Sequence, residues 1–480
     1  MRAQKLVGPA PVSLLLWSLL AVSELLADSA AQEVSSVSHH KSAANLLPNP
    51  SFEEVTDGIP AEWEIHAHRP EIAPCVTSDD RVARTGNRSL RMSGGEKEGV
   101  VGWMTARGSG IQAGNHYRVV AYFRAENVPD LHESAWAAVS WLRDESDDFP
   151  RVALLCALAR EGKWWRLSEL LQAPDEAHLA EISLGFRYAP GGQIWWDDVS
   201  LQETPSPTPR RARLATAYLP EDQRNPEGWG RVIRQAGEAH ADAVCLGEMA
   251  EIVPKDPDAR PSIPGPATDA LAEHARQYRM MIVVSLPEWE GHLRYNTAVI
   301  IGRDGQIVGR YRKTHLPQAE VKLDGHTPGS SLPVFDTEIG RVGLQVCYDH
   351  FFPEVARLLA LQGAEIIFTP IMGGGSATAY EAVARARAID NSVFWVTSIR
   401  DSGGRSLIVD PSGRILADSA GQPGVVFADV DLDAPHYERW LSVEGEAEFR
   451  HLWPKERRPS IYRALAQGQS ADASRPRDRD

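Results

Sequence analysis

Three residues that could together cleave a carbonyl compound lie far apart in the chain, each at the end of a predicted strand. Cys347 follows the apolar run RVGLQV, Glu248 follows ADAVCLG, and Lys313 ends a hairpin within residues 295–317. A thiol, a carboxylate and an ammonium can serve as nucleophile, proton carrier and oxyanion donor. Taken singly, each also has a structural interpretation, as a packed thiol or a solvated loop charge.

The surrounding elements predict where these side chains point. After Cys347 the run FPEVARLLALQGAE has apolar residues at helical spacing, with Pro353 in the first turn. A thiol at such a strand-to-helix turn is exposed, and a nearby helix amino terminus can favour the thiolate. Predicted helices at 225–241 and 266–279 each precede an apolar strand, and this alternation is typical of an α/β layer structure.

Several blocks at consistent spacing resemble the nitrilase superfamily of carbon-nitrogen hydrolases over about residues 212–433. They are VCLGEM (244–249), YRKTHLPQAE (311–320), the run from TPGSS to FTP (327–370), RARAIDNSVFWVTSI (385–399), GGRSLIVDPSGRILADS (403–419) and VVFADVDLD (425–433). The resemblance implies an α/β fold, a four-layer α-β-β-α sandwich, and aligns Glu248, Lys313 and Cys347 with the Glu-Lys-Cys triad of that family. It also implies a homodimer or a larger homo-oligomer.

The resemblance suggests further site residues. Glu320 matches a second carboxylate beside the lysine, and the backbone N–H of Tyr348 is a second oxyanion donor. His350 is assigned to substrate contact, although His315 and His350 are also interpreted as structural. Carbamoyl-amino-acid hydrolases carry arginines after the cysteine that are absent from CYDHFFPE here, which weighs against a carboxylate-bearing substrate.

The predicted function is hydrolysis of a small-molecule amide or carbamoyl group, with a nitrile as a weaker candidate, through a Cys347 thioester. No cofactor and no metal are expected, because neither H-E-x-x-H nor paired C-x-x-C occurs. Two alternatives stay open: N-acyl transfer by the same thioester chemistry, and a carbohydrate-binding protein whose rear domain is a non-catalytic scaffold.

The front of the chain has a different pattern, with short strand-like runs separated by Gly, Pro and Asp clusters. NLLPNPSFEEVTDGIPAEWE (45–64), TGNRSLRM (85–92) and IWWDDVSL (194–201) resemble galactose-binding-like jelly rolls used as carbohydrate-binding modules. This predicts an all-β jelly-roll domain over 45–203. Candidates for sugar stacking are Trp103, Trp136, Trp141, Trp164 and Trp165, each of which could equally be a packing residue. The sequence nominates no calcium ligands here.

A proline-rich segment, TPSPTPRR, separates the two patterns. It predicts a linker over 204–211, a catalytic domain over 212–465 and a disordered tail over 466–480. At 480 residues, two domains are expected. The formal net charge of -15 argues against nucleic acid as a partner.

The first residues have the composition of a targeting segment. A basic start, the apolar run VSLLLWSLLAVSELLA (12–27) and the small residues after it predict a signal peptide over 1–31 and export, with a retained membrane tether as the alternative. In an oxidising compartment Cys75 and Cys156 could pair as a disulfide, while Cys245 in an apolar run is expected in the core.

Overall fold

The computed structural model describes residues 44–466, except 257, 374, 401–403 and 441–444. From Asn45 onward the described chain forms one compact unit. The predicted signal peptide (1–31) lies outside the described residues, as does the predicted tail (466–480) beyond its first residue. No helix in the described part is long and apolar enough to cross a bilayer.

The front region, defined here as residues 45–204, consists of two packed sheets and a separate antiparallel pair formed by its first two strands. Its strands are β1 (Val55–Thr56), β2 (Ile59–Pro60), β3 (Glu64–His66), β4 (Cys75–Asp79), β5 (Ser89–Ser93), β6 (Val101–Ser109), β7 (His116–Glu126), β8 (Ala135–Leu142), β9 (Arg151–Leu154), β10 (Ala157–Glu161), β11 (Trp164–Gln172), β12 (Leu179–Arg187) and β13 (Gln193–Thr204), with helix α1 (Leu131–Ser134) before β8. One sheet has the order β10-β11-β7-β13-β5-β4, and β9, β8, β12, β6 and β3 follow one another in the second. Buried residues such as Phe52, Phe186 and Trp196 fill the space between them.

The rear region, defined as residues 211–431, alternates strands and helices. Its strands are β14 (Arg211–Tyr218), β15 (Ala243–Cys245), β16 (Met281–Glu290), β17 (Leu293–Ile301), β18 (Ile307–Arg312), β19 (Val334–Thr337), β20 (Gly340–Leu344), β21 (Ile366–Ile371), β22 (Phe394–Ile399), β23 (Leu407–Val409), β24 (Ile415–Asp418) and β25 (Gly424–Asp431). Its helices are α2 (Pro226–Glu238), α3 (Pro266–Tyr278), α4 (Gln318–Lys322), α5 (Pro353–Leu361) and α6 (Ala377–Asn391).

These strands form two six-stranded sheets, β18-β17-β16-β15-β14-β25 and β19-β20-β21-β22-β23-β24. Parallel pairs lie at the centre of each: β14 with β15 and β15 with β16 in the first sheet, and β20 with β21 and β21 with β22 in the second. One apolar core, including Leu344 and Phe368, lies between the sheets. A second core joins the first sheet to α2 and α3, and a third joins the other sheet to α5 and α6. The rear region therefore has the four-layer α-β-β-α order that the sequence predicts.

The carboxy-terminal segment departs from the predicted domain boundary. Strands β26 (Tyr437–Trp440) and β27 (Gly445–Glu448) join the front region, completing a seven-stranded sheet of order β26-β27-β9-β8-β12-β6-β3. Helix α7 (Phe449–Glu456) follows, and Lys455 Nζ in it donates to Ala135 O over 2.7 Å. The range 212–465 predicted for the catalytic domain therefore includes two strands of the front sheet, because β27 pairs with β9 and β26 pairs with β27. Helix α8 (Arg463–Ala466) ends the described chain.

Two smaller expectations also change. Strand β13 extends to Thr204 and β14 begins at Arg211, so only residues 205–210 of the predicted linker lack regular structure. Cys75 and Cys156 are free thiols, and no disulfide joins them. Cys75 is exposed on β4, whereas the Cys156 thiol donates to His451 O over 3.0 Å in the carboxy-terminal segment.

Candidate active site

Glu248, Lys313 and Cys347 meet where strands of the two rear sheets end. Lys313 directly follows β18, while Glu248 and Cys347 each lie three residues beyond β15 and β20. Because β18 runs in the same direction as β16, the lysine arrives at the edge where β15 also ends. The facing sheet provides the cysteine, and all three residues are buried.

Lys313 is the centre of the cluster. Its side chain is fully buried, and Nζ donates to Glu248 Oε1 over 2.8 Å and, through a very short contact, to Glu320 Oε1. Burial alone would lower the pKa of Lys313, but the negative charges of Glu248 and Glu320 outweigh burial and raise it. The lysine is therefore an ammonium, and with two carboxylates bound it has a third N–H to offer.

Glu248 is held at both carboxylate oxygens. Oε1 accepts from Asn296 Nδ2 over 2.7 Å as well as from Lys313, and Oε2 accepts from the backbone N–H of Met372 over 2.7 Å. On the backbone side, Arg400 Nη1 donates to the carbonyl of Glu248 over 2.9 Å. A buried carboxylate with this many donors has one fixed orientation.

Cys347 lies beside Glu248 in a left-handed backbone conformation, with φ of 47°. Such a conformation is uncommon for a residue other than glycine and occurs often at functional sites. Burial raises the pKa of the thiol; the charge of Glu248 raises it further, and Lys313 opposes this. The expectation that a helix amino terminus would favour the thiolate is therefore wrong for the resting site, because burial outweighs it and the thiol keeps its proton.

Asp349 ties the lysine and cysteine segments together, a role that the sequence reading missed. The buried carboxylate accepts from Tyr311 Oη at 2.8 Å and from the backbone N–H of His315 at 2.9 Å, on the lysine side. It also accepts from the backbone N–H of Val346 at 3.0 Å, just before the cysteine. Since one carboxylate binds both segments, the positions of Lys313 and Cys347 are coupled.

The remaining predicted residues occupy different surroundings. Glu320 lies within the cluster on α4, and burial raises its pKa despite the opposing charge of Lys313. Tyr348 is 40% exposed and packs its ring edge-on against Phe352. His350 is fully buried: its Nε2 bonds the carbonyl of Tyr380 over 3.2 Å, and burial lowers its pKa to about 4. The structure thus corrects its assignment to substrate contact, because the ring lies within the packing.

Two polar residues that hold Glu248, directly or through one another, were also not predicted from the sequence. Asn296 and Ser285 lie inside the apolar strands β17 and β16, where nothing in the local pattern distinguishes them from core positions. Their hydrogen bonds become visible only once the two strands pair. Met372 was not predicted for another reason. It donates to Glu248 through its backbone N–H, which any residue but proline could supply.

The comparisons with known proteins concern this rear region. A model of the carbon-nitrogen hydrolase family matches residues 211–434. Omega-amidase NIT2 from Bos taurus is 33% identical over 224 residues, which make up 42% of this chain and 80% of the relative. Omega-amidase NIT2 from Homo sapiens is 33% identical over 196 residues, covering 37% of this chain and 70% of the relative.

Solved structures are similar over the same part of the chain. A carbon-nitrogen hydrolase from Helicobacter pylori G27 is 25% identical, covers 53% of this chain and 98% of that chain, and has a TM-score of 0.46. An amidase from Nesterenkonia sp. is 24% identical, covers 53% of this chain and 96% of that chain, and has a TM-score of 0.43. The family model matches residues 211–434, and the chain covers 80% of a relative to which it is 33% identical. The chain therefore belongs to the carbon-nitrogen hydrolase family and is an enzyme of that class.

Proposed function

We propose that the enzyme hydrolyses a small-molecule amide through a thioester on Cys347, with Glu248 as proton carrier and Lys313 as oxyanion donor. The observation that carries the proposal is the buried Lys313 ammonium between Glu248 and Glu320, with the Cys347 thiol beside them. Relatives named omega-amidases support an amide as the substrate class.

The first half of the reaction forms the thioester and releases the amine. Glu248 accepts the thiol proton as the sulfur bonds to the carbonyl carbon, and the carbonyl oxygen takes the negative charge. The third N–H of Lys313 and the backbone N–H of Tyr348 donate to this oxygen. When the carbon-nitrogen bond breaks, the proton held by Glu248 moves to the departing nitrogen, so that ammonia or an amine leaves.

The second half of the reaction hydrolyses the thioester and regenerates the free enzyme. A water gives its proton to Glu248 and bonds to the thioester carbon, and the same donors stabilise the second oxyanion. The carbon-sulfur bond then breaks, and the sulfur recovers the proton from Glu248, which leaves a carboxylic acid and the resting thiol. Oxyanion donors of this kind contribute about 2.7 to 4 kcal/mol each.

The test is ammonia release from a panel of primary amides, carbamoyl compounds and nitriles, with the acylated enzyme trapped and weighed by mass spectrometry. We expect release by the wild type and by Cys75→Ala, which removes an exposed thiol far from the cluster. Cys347→Ala should release none and should carry no adduct. Release by Cys347→Ala would refute the thioester, and product formed only with an added amine would favour acyl transfer.

An aromatic patch in the front region supports a second function, carbohydrate binding by a galactose-binding-like jelly roll. Partly exposed Trp103 stacks on His66 with ring centroids 5.5 Å apart, and it also contacts His68 and Trp136. Aromatic faces of this kind suit the apolar face of a sugar ring. Trp141 is instead buried in the front core. Retention on insoluble polysaccharides, lost in Trp103→Ala with amidase activity intact, would support this function; equal retention of both proteins would refute it.

The amino-terminal segment determines whether the protein is exported or tethered to a membrane. The composition of residues 1–31 supports export with removal of this segment, or a tether that retains it. Amino-terminal sequencing of the native protein separates export from tethering, since an exported mature chain begins near residue 32 and a tethered chain keeps the segment and is found in the membrane fraction.

A homodimer or larger homo-oligomer is proposed from the family resemblance, and light scattering that gives the mass of one chain would contradict it.

A further inference from the structure

We infer that Asn296, oriented by Ser285, is a positioning residue that holds Glu248 against Lys313 and beside the Cys347 thiol. The inference rests on the proposed function, because it assigns these residues to the same site. The hydrogen bonds of Asn296 and Ser285 lead to Glu248 and not to the Cys347 thiol, so both residues act through the Glu248 carboxylate.

The first step is the position of the Asn296 amide. Its side chain is 1% exposed, and Nδ2 donates to Glu248 Oε1 over 2.7 Å. Glu248 Oε1 also accepts from Lys313 Nζ over 2.8 Å, so the amide and the ammonium hold the carboxylate at one oxygen. A shift of the Glu248 carboxylate would therefore break both contacts.

The second step is the orientation of the amide. Ser285 Oγ accepts from the backbone N–H of Met249 over 3.2 Å and donates to Asn296 Oδ1 over 2.5 Å. This donation fixes Oδ1 toward the serine and turns Nδ2 toward the Glu248 carboxylate. The reverse orientation would place an amide oxygen against the Glu248 oxygen at 2.7 Å, where neither ionised carboxylate nor carbonyl has a proton to share.

The third step concerns charge. Glu248 and Glu320 place two carboxylates on the one ammonium of Lys313, so a further donor helps to offset their charge. The neutral Asn296 amide provides this donor at Glu248 without adding a second cation that would compete for the oxyanion. Burial and the charge of Glu248 raise the pKa of the Cys347 thiol, so loss of the amide should raise that pKa further, and the thiol should lose its proton only at higher pH.

The experiment compares Asn296→Asp, which keeps the side-chain shape, and Ser285→Ala with the wild type. The control is Thr297→Val: Thr297 is the next residue of β17, is fully buried, and donates to Glu288 Oε2 over 2.6 Å outside the cluster. Two quantities are measured across pH: kcat/KM for an amide, and the rate at which iodoacetamide alkylates Cys347, identified by peptide mass.

We expect kcat/KM to fall roughly ten- to hundredfold in Asn296→Asp, and less in Ser285→Ala, as is usual for the loss of a hydrogen bond to a charged group. The rise of both quantities with pH should move to higher pH by about half a unit or more in these two variants. Thr297→Val should keep the wild-type profiles. A purely structural role would lower stability in all three variants and move no profile.

The two readouts separate this inference from the proposed function. Alkylation of Cys347 needs no substrate, so shifted alkylation profiles support the inference even if no amide in the panel is hydrolysed, an outcome that would count against the proposed function alone. Unshifted profiles in both Asn296→Asp and Ser285→Ala, with the wild type active on amides, would overturn the inference and leave the proposed function standing. If Asn296→Asp does not fold, Ser285→Ala decides by the same criterion.

Discussion

The described chain gathers a cysteine, a glutamate and a lysine in two places, and only one of them has the geometry of a reactive site. In the rear region Lys313 binds Glu248 directly beside Cys347. The second place, called the front cluster here, is formed by Cys156 and Glu169 of the front region with Lys455 of the carboxy-terminal helix α7. There the lysine donates to the carbonyl of Ala135.

The two lysines respond to burial in opposite ways. Burial lowers the pKa of Lys455 to about 8, and the nearby charges only partly oppose it. Lys313 is just as buried, yet its pKa is raised because carboxylates hold it. Glu169 meanwhile accepts from the backbone N–H groups of Cys156 and Ala157. The three residue types alone therefore do not make a reactive site. The carboxylate must bind the lysine and still have an oxygen lone pair that can accept the thiol proton.

Replacing the glutamate of each cluster should show the largest difference between the two clusters. Glu248→Gln keeps the shape of the side chain but cannot accept the thiol proton, so we expect kcat/KM to fall about 10³-fold or more. Glu169→Gln should keep wild-type turnover, because that carboxylate accepts from the backbone of Cys156 and Ala157 and lies 3.8 Å from His451, outside the rear site. Ammonia release under matched conditions measures both. An equal loss in the two variants would mean that Glu248 acts through stability, not chemistry.

The two lysines provide the next largest effect. Lys313→Met removes the proposed oxyanion donor and should lower kcat roughly 10²- to 10³-fold. It also leaves Glu248 and Glu320 adjacent without a cation, so the acidic limb of the pH profile should move upward. Lys455→Met should change neither quantity. A Lys313→Met enzyme with wild-type kcat would remove the lysine from the mechanism.

The sequence allowed the rear layers and the meeting of four site residues to be predicted, because each of those side chains ends an apolar run or lies in a family block. It did not identify Asn296 or Asp349, since their roles arise only from pairing between distant segments. The docking of β27 was missed for a similar reason. Its partner β9 is separated from it by almost 300 residues, and the charged run near Glu446 carries no clear strand alternation.

The opposite pKa shifts of the lysines predict a pH effect on stability. Between the folded pKa of Lys455, about 8, and its ordinary value of 10.5, the unfolded chain retains a proton that the folded chain has released. Stability from this group therefore rises with pH in that window, and its burial cost is present in full below it. Lys313 is protonated in both states over the same window and adds no slope.

Denaturant titrations of wild type and Lys455→Met at several pH values between about 7 and about 10 measure this effect. The wild type should gain roughly 1 to 3 kcal/mol relative to the variant as pH rises. Taking the difference cancels the other groups that titrate in this range. A difference that stays constant would mean that Lys455 is charged in the folded protein, as Lys313 is, and the contrast between the clusters would disappear.

The smallest effect tests why the front cluster exists at all. Lys455 reaches Cys156 only because the carboxy-terminal segment docks on β9, where Arg151 Nε donates to Glu446 Oε2 over 2.6 Å. Both side chains are more than 30% exposed, so a double-mutant cycle with Arg151→Gln and Glu446→Gln should give a coupling of about 0.5 kcal/mol that weakens with salt. The free energy of unfolding provides the measurement. Zero coupling at low salt would mean that this ion pair does not hold the segment in solution, and the docking would then depend on the β27–β9 backbone pairing and on α7.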